Sequence, residues 1–259
     1  MAYVLAEAAD AIATVTLDHE RRRNALSRAL VEELVAALQR FRGARARAVV
    51  LRARPGARVF SAGHDVDELP EARRDPLGWD DPLRRLVREV EGFPAPVIAM
   101  VEGSVWGGAT EAVLACGLVV AAEGATFAAT PAKLGVPYNA GGMLTFLNAA
   151  GLRLAKEMAF TAQPLDAARA ERLGLVNRVV PAAELEAVTI GLAREVAANA
   201  PLSVAVMKEQ LRILAGARPM TPQGSGRVQG LRRVVYDSAA CREGIRAFKE
   251  KRRPVFKGE

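Results

Sequence analysis

Two short glycine-bearing stretches hold the chemistry latent in this chain. The first is Val59-Phe60-Ser61-Ala62-Gly63-His64-Asp65, and the second runs from Val101-Glu102-Gly103-Ser104-Val105-Trp106 through Gly107-Gly108 to Glu111. Each sets a small or glycyl segment directly after an apolar, strand-like run, and the chain between them has room for a helix. Such a pair of turns can aim two main-chain N–H groups at one oxygen atom. Glycine is needed because a Cβ would keep a ligand carbonyl from approaching the backbone. Two converging amides hold an oxyanion better than a neutral carbonyl, and that difference is what lowers a barrier to enolate formation.

Side chains near the two turns suggest more familiar acid–base chemistry. His64 is one of only two histidines, the other being His19 in a turn, and chemistry alone would choose it as a general base. Glu111 is a candidate carboxylate, and Tyr138, in Gly135-Val136-Pro137-Tyr138-Asn139, a candidate hydrogen-bond donor. Cys116 and Cys241 are far apart and form no C-x-x-C pair, so neither a disulfide framework nor a metal site is expected.

These groups need rigid elements to carry them. Ala11 to Asp18 alternates apolar and polar residues with period two and is β-branched, which predicts a strand. Ser27 can cap a helix whose Val31, Leu34, Val35, Leu38 and Phe41 share one face. Further strands are predicted over 47–52, 96–101, 118–122, 126–129 and 176–180, with a helix over 83–93 and another opened by Gly107-Gly108. Glu68 to Asp81, with Pro70, Pro76 and Gly78, reads as a long surface loop. Beyond Pro201 come three amphipathic helices, at 202–214, 226–236 and 238–251. The chain is thus an α/β layered core over 1–200 followed by a C-terminal helical region over 201–259.

Composition narrows the function classes. The 259 residues, 51% of them hydrophobic, can bury a full core. No apolar run reaches membrane-spanning length, and the first residues lack a basic segment followed by an apolar one, so a cytoplasmic protein without a membrane partner is expected. The net charge is +7, but its arginines are dispersed and no nucleic-acid motif accompanies them. A phosphate-bearing ligand accounts for the terminal basic clusters better than nucleic acid does.

With these motifs in place, the chain resembles the crotonase (enoyl-CoA hydratase/isomerase) superfamily over essentially its whole length. The resemblance rests on Arg23-Asn24-Ala25-Leu26-Ser27, the two glycine turns, Glu111, Leu134-Gly135-Val136-Pro137 and the tail Glu243 to Arg252. It implies a spiral of ββα units, a C-terminal helical region that builds homotrimers or hexamers, and an acyl-CoA thioester substrate with no separate cofactor and no metal. By the same resemblance the thioester oxygen lies between the amides of His64 and Gly108. Ala25, Ala62, Asp65 and Val66 match main-chain positions that hold pantetheine and adenine, and Arg23 is placed to meet a phosphate. Phe248 and Lys251 match residues that reach a neighbouring subunit's nucleotide.

Within the superfamily, Glu68-Leu69-Pro70, Arg74-Asp75-Pro76-Leu77, Asp80 to Arg84 and Arg233 to Ser238 resemble the branch of acyl-CoA carboxy-lyases that decarboxylates methylmalonyl-CoA. Hydration needs two carboxylates. Glu111 matches one of them, but Ala132 occupies the place of the other. In the decarboxylase reading Tyr138 orients the substrate carboxylate and Thr130 helps line the pocket, the alternative for Tyr138 being a core tyrosine bonded to backbone. Glu111 is then either a direct participant or a structural carboxylate. Trp106, Phe60 and Leu134 are candidates for an apolar wall. Two other functions stay open on the residues alone: an enoyl-CoA hydratase/isomerase, and a scaffold that binds RNA or protein through its basic surface.

Overall fold

The computed structural model describes residues 2–69, 80–217 and 221–256. The chain opens with β1 (Val4–Ala9) and β2 (Ile12–Leu17), an antiparallel hairpin, followed by α1 (Arg28–Gly43). Three ββα units come next. They are β3 (Ala48–Ala53), β4 (Val59–Ser61) and α2 (Pro82–Glu91); β5 (Val97–Val101), β6 (Ser104–Trp106) and α3 (Gly108–Leu114); and β7 (Leu118–Ala122), β8 (Thr126–Ala128) and α4 (Ala140–Thr161). Then come β9 (Leu165–Asp166), α5 (Ala167–Arg172), β10 (Arg178–Val180) and α6 (Leu185–Ala198). The C-terminal helices are α7 (Pro201–Gly216), α8 (Pro222–Asp237) and α9 (Ala239–Lys249).

Each unit gives its first strand to one sheet and its second to another. The larger sheet has the order β1-β2-β3-β5-β7-β10 and the smaller β4-β6-β8-β9. Because β3, β5 and β7 pair in parallel, as do β4, β6 and β8, successive turns of chain stack as the expected spiral. Alternation within the strands explains the layering. Val49, Leu51, Val97 and Ala99 join the main core with α1 and α2, whereas Ala48, Val50, Ile98 and Met100 face outward under α6.

Helix starts follow local chemistry. The Ser27 hydroxyl accepts from the Leu30 amide at 3.3 Å, and α1 buries Val31, Leu34, Val35, Leu38 and Phe41, the face its spacing predicts. At α2, Asp81 caps the amides of Leu83 and Arg84, with Pro82 in the first turn. The preceding loop falls largely outside the described residues.

The C-terminal region returns to the site loops. Val66 and Leu69 pack with Val136, Tyr236, Cys241 and Ile245, and Gly244 lies so close to Leu134 that a Cβ would strike its carbonyl. Both cysteines are free and buried. The last predicted helix ends sooner than its pattern suggests: α9 stops at Lys249, and Lys251 lies beyond it in a left-handed conformation, φ 54°. Phe248 is therefore helical and Lys251 is not, which corrects the predicted end of this helix at residue 251. Among the described residues, no helix is long and apolar enough to cross a membrane.

One lysine ties α7 to the core. Lys208 Nζ donates to the carbonyls of Val90 (3.0 Å), Phe93 (2.6 Å) and Ala95 (3.0 Å), where the end of α2 leaves acceptors without helical partners. Lys208→Met strands these carbonyls and is expected to cost on the order of 2–3 kcal/mol. Urea unfolding checks it, and an unchanged midpoint would show the contact to be idle.

Candidate active site

The two glycine turns follow neighbouring parallel strands, β4 and β6, and pack directly against each other. At Gly63, φ is +84°, and a Cβ there would collide with the Trp106 carbonyl while lying 3.0 Å from the Gly108 nitrogen. A methyl group on Gly108 would sit 3.5 Å from the His64 nitrogen and 2.6 Å from Leu83 Cδ2. The amides of residues 64 and 108 thus border the same small space. Gly108 is the first residue of α3, so its N–H has no acceptor within the helix.

The first turn is held by its neighbours' main chain. Ala62 donates to the Arg23 carbonyl at 2.8 Å, and Leu26 donates to the Gly63 carbonyl at 2.8 Å. Arg23 is exposed and Ala25 buried. Asp65 spends its carboxylate on Arg22 (3.0 Å) and on the Asp67 amide (3.1 Å), and buried Val66 begins the turn that packs under α9. Arg23, Ala25, Ala62, Asp65 and Val66 are thus grouped around one turn. Phe248 is 57% exposed at the far end of α9, and Lys251 is exposed beyond it.

The imidazole of His64 has partners of its own. Its Nε2 lies 2.8 Å from Asp81 Oδ2 and its Nδ1 3.1 Å from the Asp65 carbonyl. Burial opposes charging of this ring, but the Asp81 carboxylate, the Asp65 carbonyl and the Glu68 charge together outweigh it and raise the pKa above the usual histidine value. Asp81 thereby links the start of α2 to the first turn, a link no local pattern announces.

Glu111 is 1% exposed and pairs with Arg84 from α2. Burial pushes its carboxyl up to about 7 against the pull of the Arg84 charge. Room for the pair comes from Gly141 and Gly142 at the start of α4: a Cβ on Gly141 would strike the Arg84 guanidinium, and one on Gly142 would lie 2.9 Å from Glu111 Oε2.

Tyr138 is buried beside Gly142 as well, its ring 5.0 Å from that of Phe146. Its hydroxyl donates to the Gly107 carbonyl at 3.0 Å, so its one proton already has a main-chain acceptor. Burial, reinforced by the Glu111 charge, raises the phenol well above its usual pKa and keeps it neutral. Thr130 also belongs here, for a Cβ on Gly107 would meet Thr130 Oγ1 at 2.9 Å. The structure thus gathers His64, Gly108, Glu111, Tyr138 and Thr130 around one site. Of the three wall candidates, Phe60 joins the main core, Leu134 packs against the cluster under α9, and the Trp106 indole donates to Ser104 Oγ at 2.8 Å. Among the described residues, no group of three or more His, Cys, Asp or Glu side chains is placed to hold a metal ion.

Two stacked glycine turns within a ββα spiral define the class. The chain belongs to the enoyl-CoA hydratase/isomerase family, whose sequence pattern matches residues 7–259. It is 45% identical, over 99% of its length and 98% of the relative's, to methylmalonyl-CoA decarboxylase of Escherichia coli (strain K12). The fold matches methylmalonyl-CoA decarboxylase in complex with 2-nitronate-propionyl-CoA at a TM-score of 0.98, with 45% identity and 99% of each chain covered. It also matches that enzyme complexed with 2S-carboxypropyl-CoA at 0.97, with 45% identity, covering 99% of this chain and 98% of the other.

Proposed function

We propose that this protein decarboxylates methylmalonyl-CoA to propionyl-CoA. The observation that carries this reading is the meeting of the two glycine turns at one small space, beside a carboxylate already committed to an arginine. Near-full-length similarity to a methylmalonyl-CoA decarboxylase supplies the substrate.

In this mechanism the thioester oxygen accepts from the amides of His64 and Gly108. The substrate carboxylate stands out of the thioester plane. Its bond to Cα breaks, the electron pair enters the thioester system, and carbon dioxide leaves. Negative charge gathers on the oxygen facing the amides, so they bind the enolate more tightly than the ground state. Cα then takes a proton from water, since the Tyr138 hydroxyl already donates to the Gly107 carbonyl. Ala25, Ala62, Asp65 and Val66 line the pantetheine and adenine path, with Arg23 toward a phosphate. The reaction asks for no second carboxylate, which suits a chain that has Ala132 in that position.

The neighbouring reading, hydration or isomerisation of an enoyl-CoA, is favoured by one observation, the pKa of Glu111 near 7. A single carboxylate paired with Arg84 is poorly equipped to activate water as well as protonate carbon. The two reactions separate in one incubation. Methylmalonyl-CoA is expected to release carbon dioxide while crotonyl-CoA keeps its enoyl absorbance; rapid loss of that absorbance without carbon dioxide release would reverse the assignment.

The working assembly we propose is a homotrimer or hexamer in a reducing cytoplasm. Leu202, Val206, Met207, Leu211 and Leu214 leave an apolar stripe exposed on α7, a helix with no buried residue of its own. A second copy covering this stripe, with Phe248 and Lys251 near its neighbour's nucleotide, accounts for both exposures. Two free, buried thiols suit a reducing compartment.

A further inference from the structure

The peptide joining Gly107 to Gly108 has its two ends on different duties. Its nitrogen, from Gly108, borders the first turn: a Cβ on Gly63 would lie 3.0 Å from it, and one on Gly108 would lie 3.5 Å from the His64 nitrogen. Its C=O, from Gly107, accepts two hydrogen bonds, from the Tyr138 hydroxyl at 3.0 Å and from the Thr110 amide at 3.0 Å. In a trans peptide the C=O and N–H point in opposite directions, so fixing one end fixes the other. Gly107 is at φ 52°, ψ −120°, a conformation closed to most side chains and one that glycine can also leave easily. Its neighbours must therefore hold the peptide's facing. The Thr110 bond is part of the first turn of α3. The phenol is the donor that comes from outside that turn.

We propose that Tyr138 serves the reaction through this peptide, locking the Gly108 N–H toward the thioester oxygen and strengthening it as a donor. A hydrogen bond to an amide oxygen draws electron density from nitrogen and leaves its proton more positive. Linked hydrogen bonds reinforce one another in this way, by about 10–30% per bond. Glu111 and Gly142 support the arrangement from behind: a Cβ on Gly142 would lie 3.1 Å from Tyr138 Cδ1 as well as 2.9 Å from Glu111 Oε2. The phenol stays protonated in this environment, as a permanent donor must. Tyr138 is in this account a positioning residue, one that need not touch the substrate.

This inference rests on the proposed seat for the thioester, and one probe separates the two. Propionyl-CoA, labelled at its thioester carbonyl, has no carboxylate for a tyrosine to grip. Its carbonyl stretch, read by isotope-edited infrared spectroscopy, shifts to lower frequency in proportion to the hydrogen bonds it receives. Tyr138→Phe keeps the ring beside Phe146 and is expected to reduce that shift by roughly 10–30%. Carbon dioxide release from methylmalonyl-CoA should drop in the same variant, through kcat with KM nearly unchanged. Replacing Tyr138 by 3-fluorotyrosine, a stronger donor of nearly the same shape, should move the carbonyl the other way and enlarge the shift. Equal shifts in all three proteins would overturn the proposal, and lost turnover beside equal shifts would place the phenol on the carboxylate instead. No shift in the unaltered protein at saturating propionyl-CoA would remove the amide pair itself, and this inference with it.

Discussion

Gly108→Ala should leave a folded protein that scarcely turns over. The added methyl meets Leu83 Cδ2 at 2.6 Å, the far end of a side chain that can rotate away, so the core has a way to accommodate it. It cannot avoid the space beside the His64 amide, 3.5 Å away, where the thioester oxygen is proposed to sit. Displacing that oxygen from one of its two donors is expected to reduce kcat/KM for decarboxylation by a factor on the order of 10²–10³. Binding of free CoA, which has no thioester oxygen, should barely change. Steady-state kinetics together with a thermal melt decide the matter. Normal turnover by a folded Gly108→Ala would show that the oxygen lies elsewhere.

The second large effect concerns stability and its dependence on pH. Arg84→Met leaves Glu111 buried without its cation, and breaking a buried pair from one side typically costs about 3–5 kcal/mol. The sign of the pH dependence follows from burial. The Glu111 carboxyl sits at about 7 in the fold against an ordinary 4.5, so the folded chain binds this proton more tightly than the unfolded chain. Between those values Glu111 makes the native protein lose stability as pH rises. Without Arg84 the carboxyl moves higher still. The variant should therefore be weakest above pH 7, where the folded chain must either bury an ionised Glu111 or hold its proton while the unfolded chain ionises freely, and should recover toward pH 5. Urea unfolding at the two ends of that range tests this, and a loss independent of pH would mean that Glu111 is not the group left uncompensated.

The elements read correctly from sequence are those whose local chemistry leaves little choice. Ser27 caps α1 and five apolar residues share its face; the helix predicted from residue 83 answers to α2; alternation marks β2 and buried runs mark β3 and β5. β1 escaped because its hairpin turns at Asp10-Ala11, with φ 51° and 64°, where an Asn-Gly pair would have signalled it. β6 and β9 are too short to show a period. At the site the glycines were legible because few other residues fit such turns. Arg84 beside Glu111 and Asp81 beside His64 were not, since the first joins α2 to α3 and the second joins the start of α2 to a turn many residues earlier. Ion pairs across a fold leave no mark in spacing. The end of the last helix is misplaced for a related reason: periodicity continues past Lys249, but the helix does not.

The parallel pairing of β4 with β6 has a metric consequence. Adjacent strands in a sheet lie about 4.8 Å apart, and the two amides stand just past the ends of this adjacent pair. Donors at that separation can both sit about 2.9 Å from one oxygen, subtending roughly 112° at it, close to the divergence of about 120° between a carbonyl's lone pairs. Slipping one extra strand between β4 and β6 would double the gap to about 9.6 Å, beyond the reach of any single atom. The sheet is the ruler against which the catalytic distance is cut.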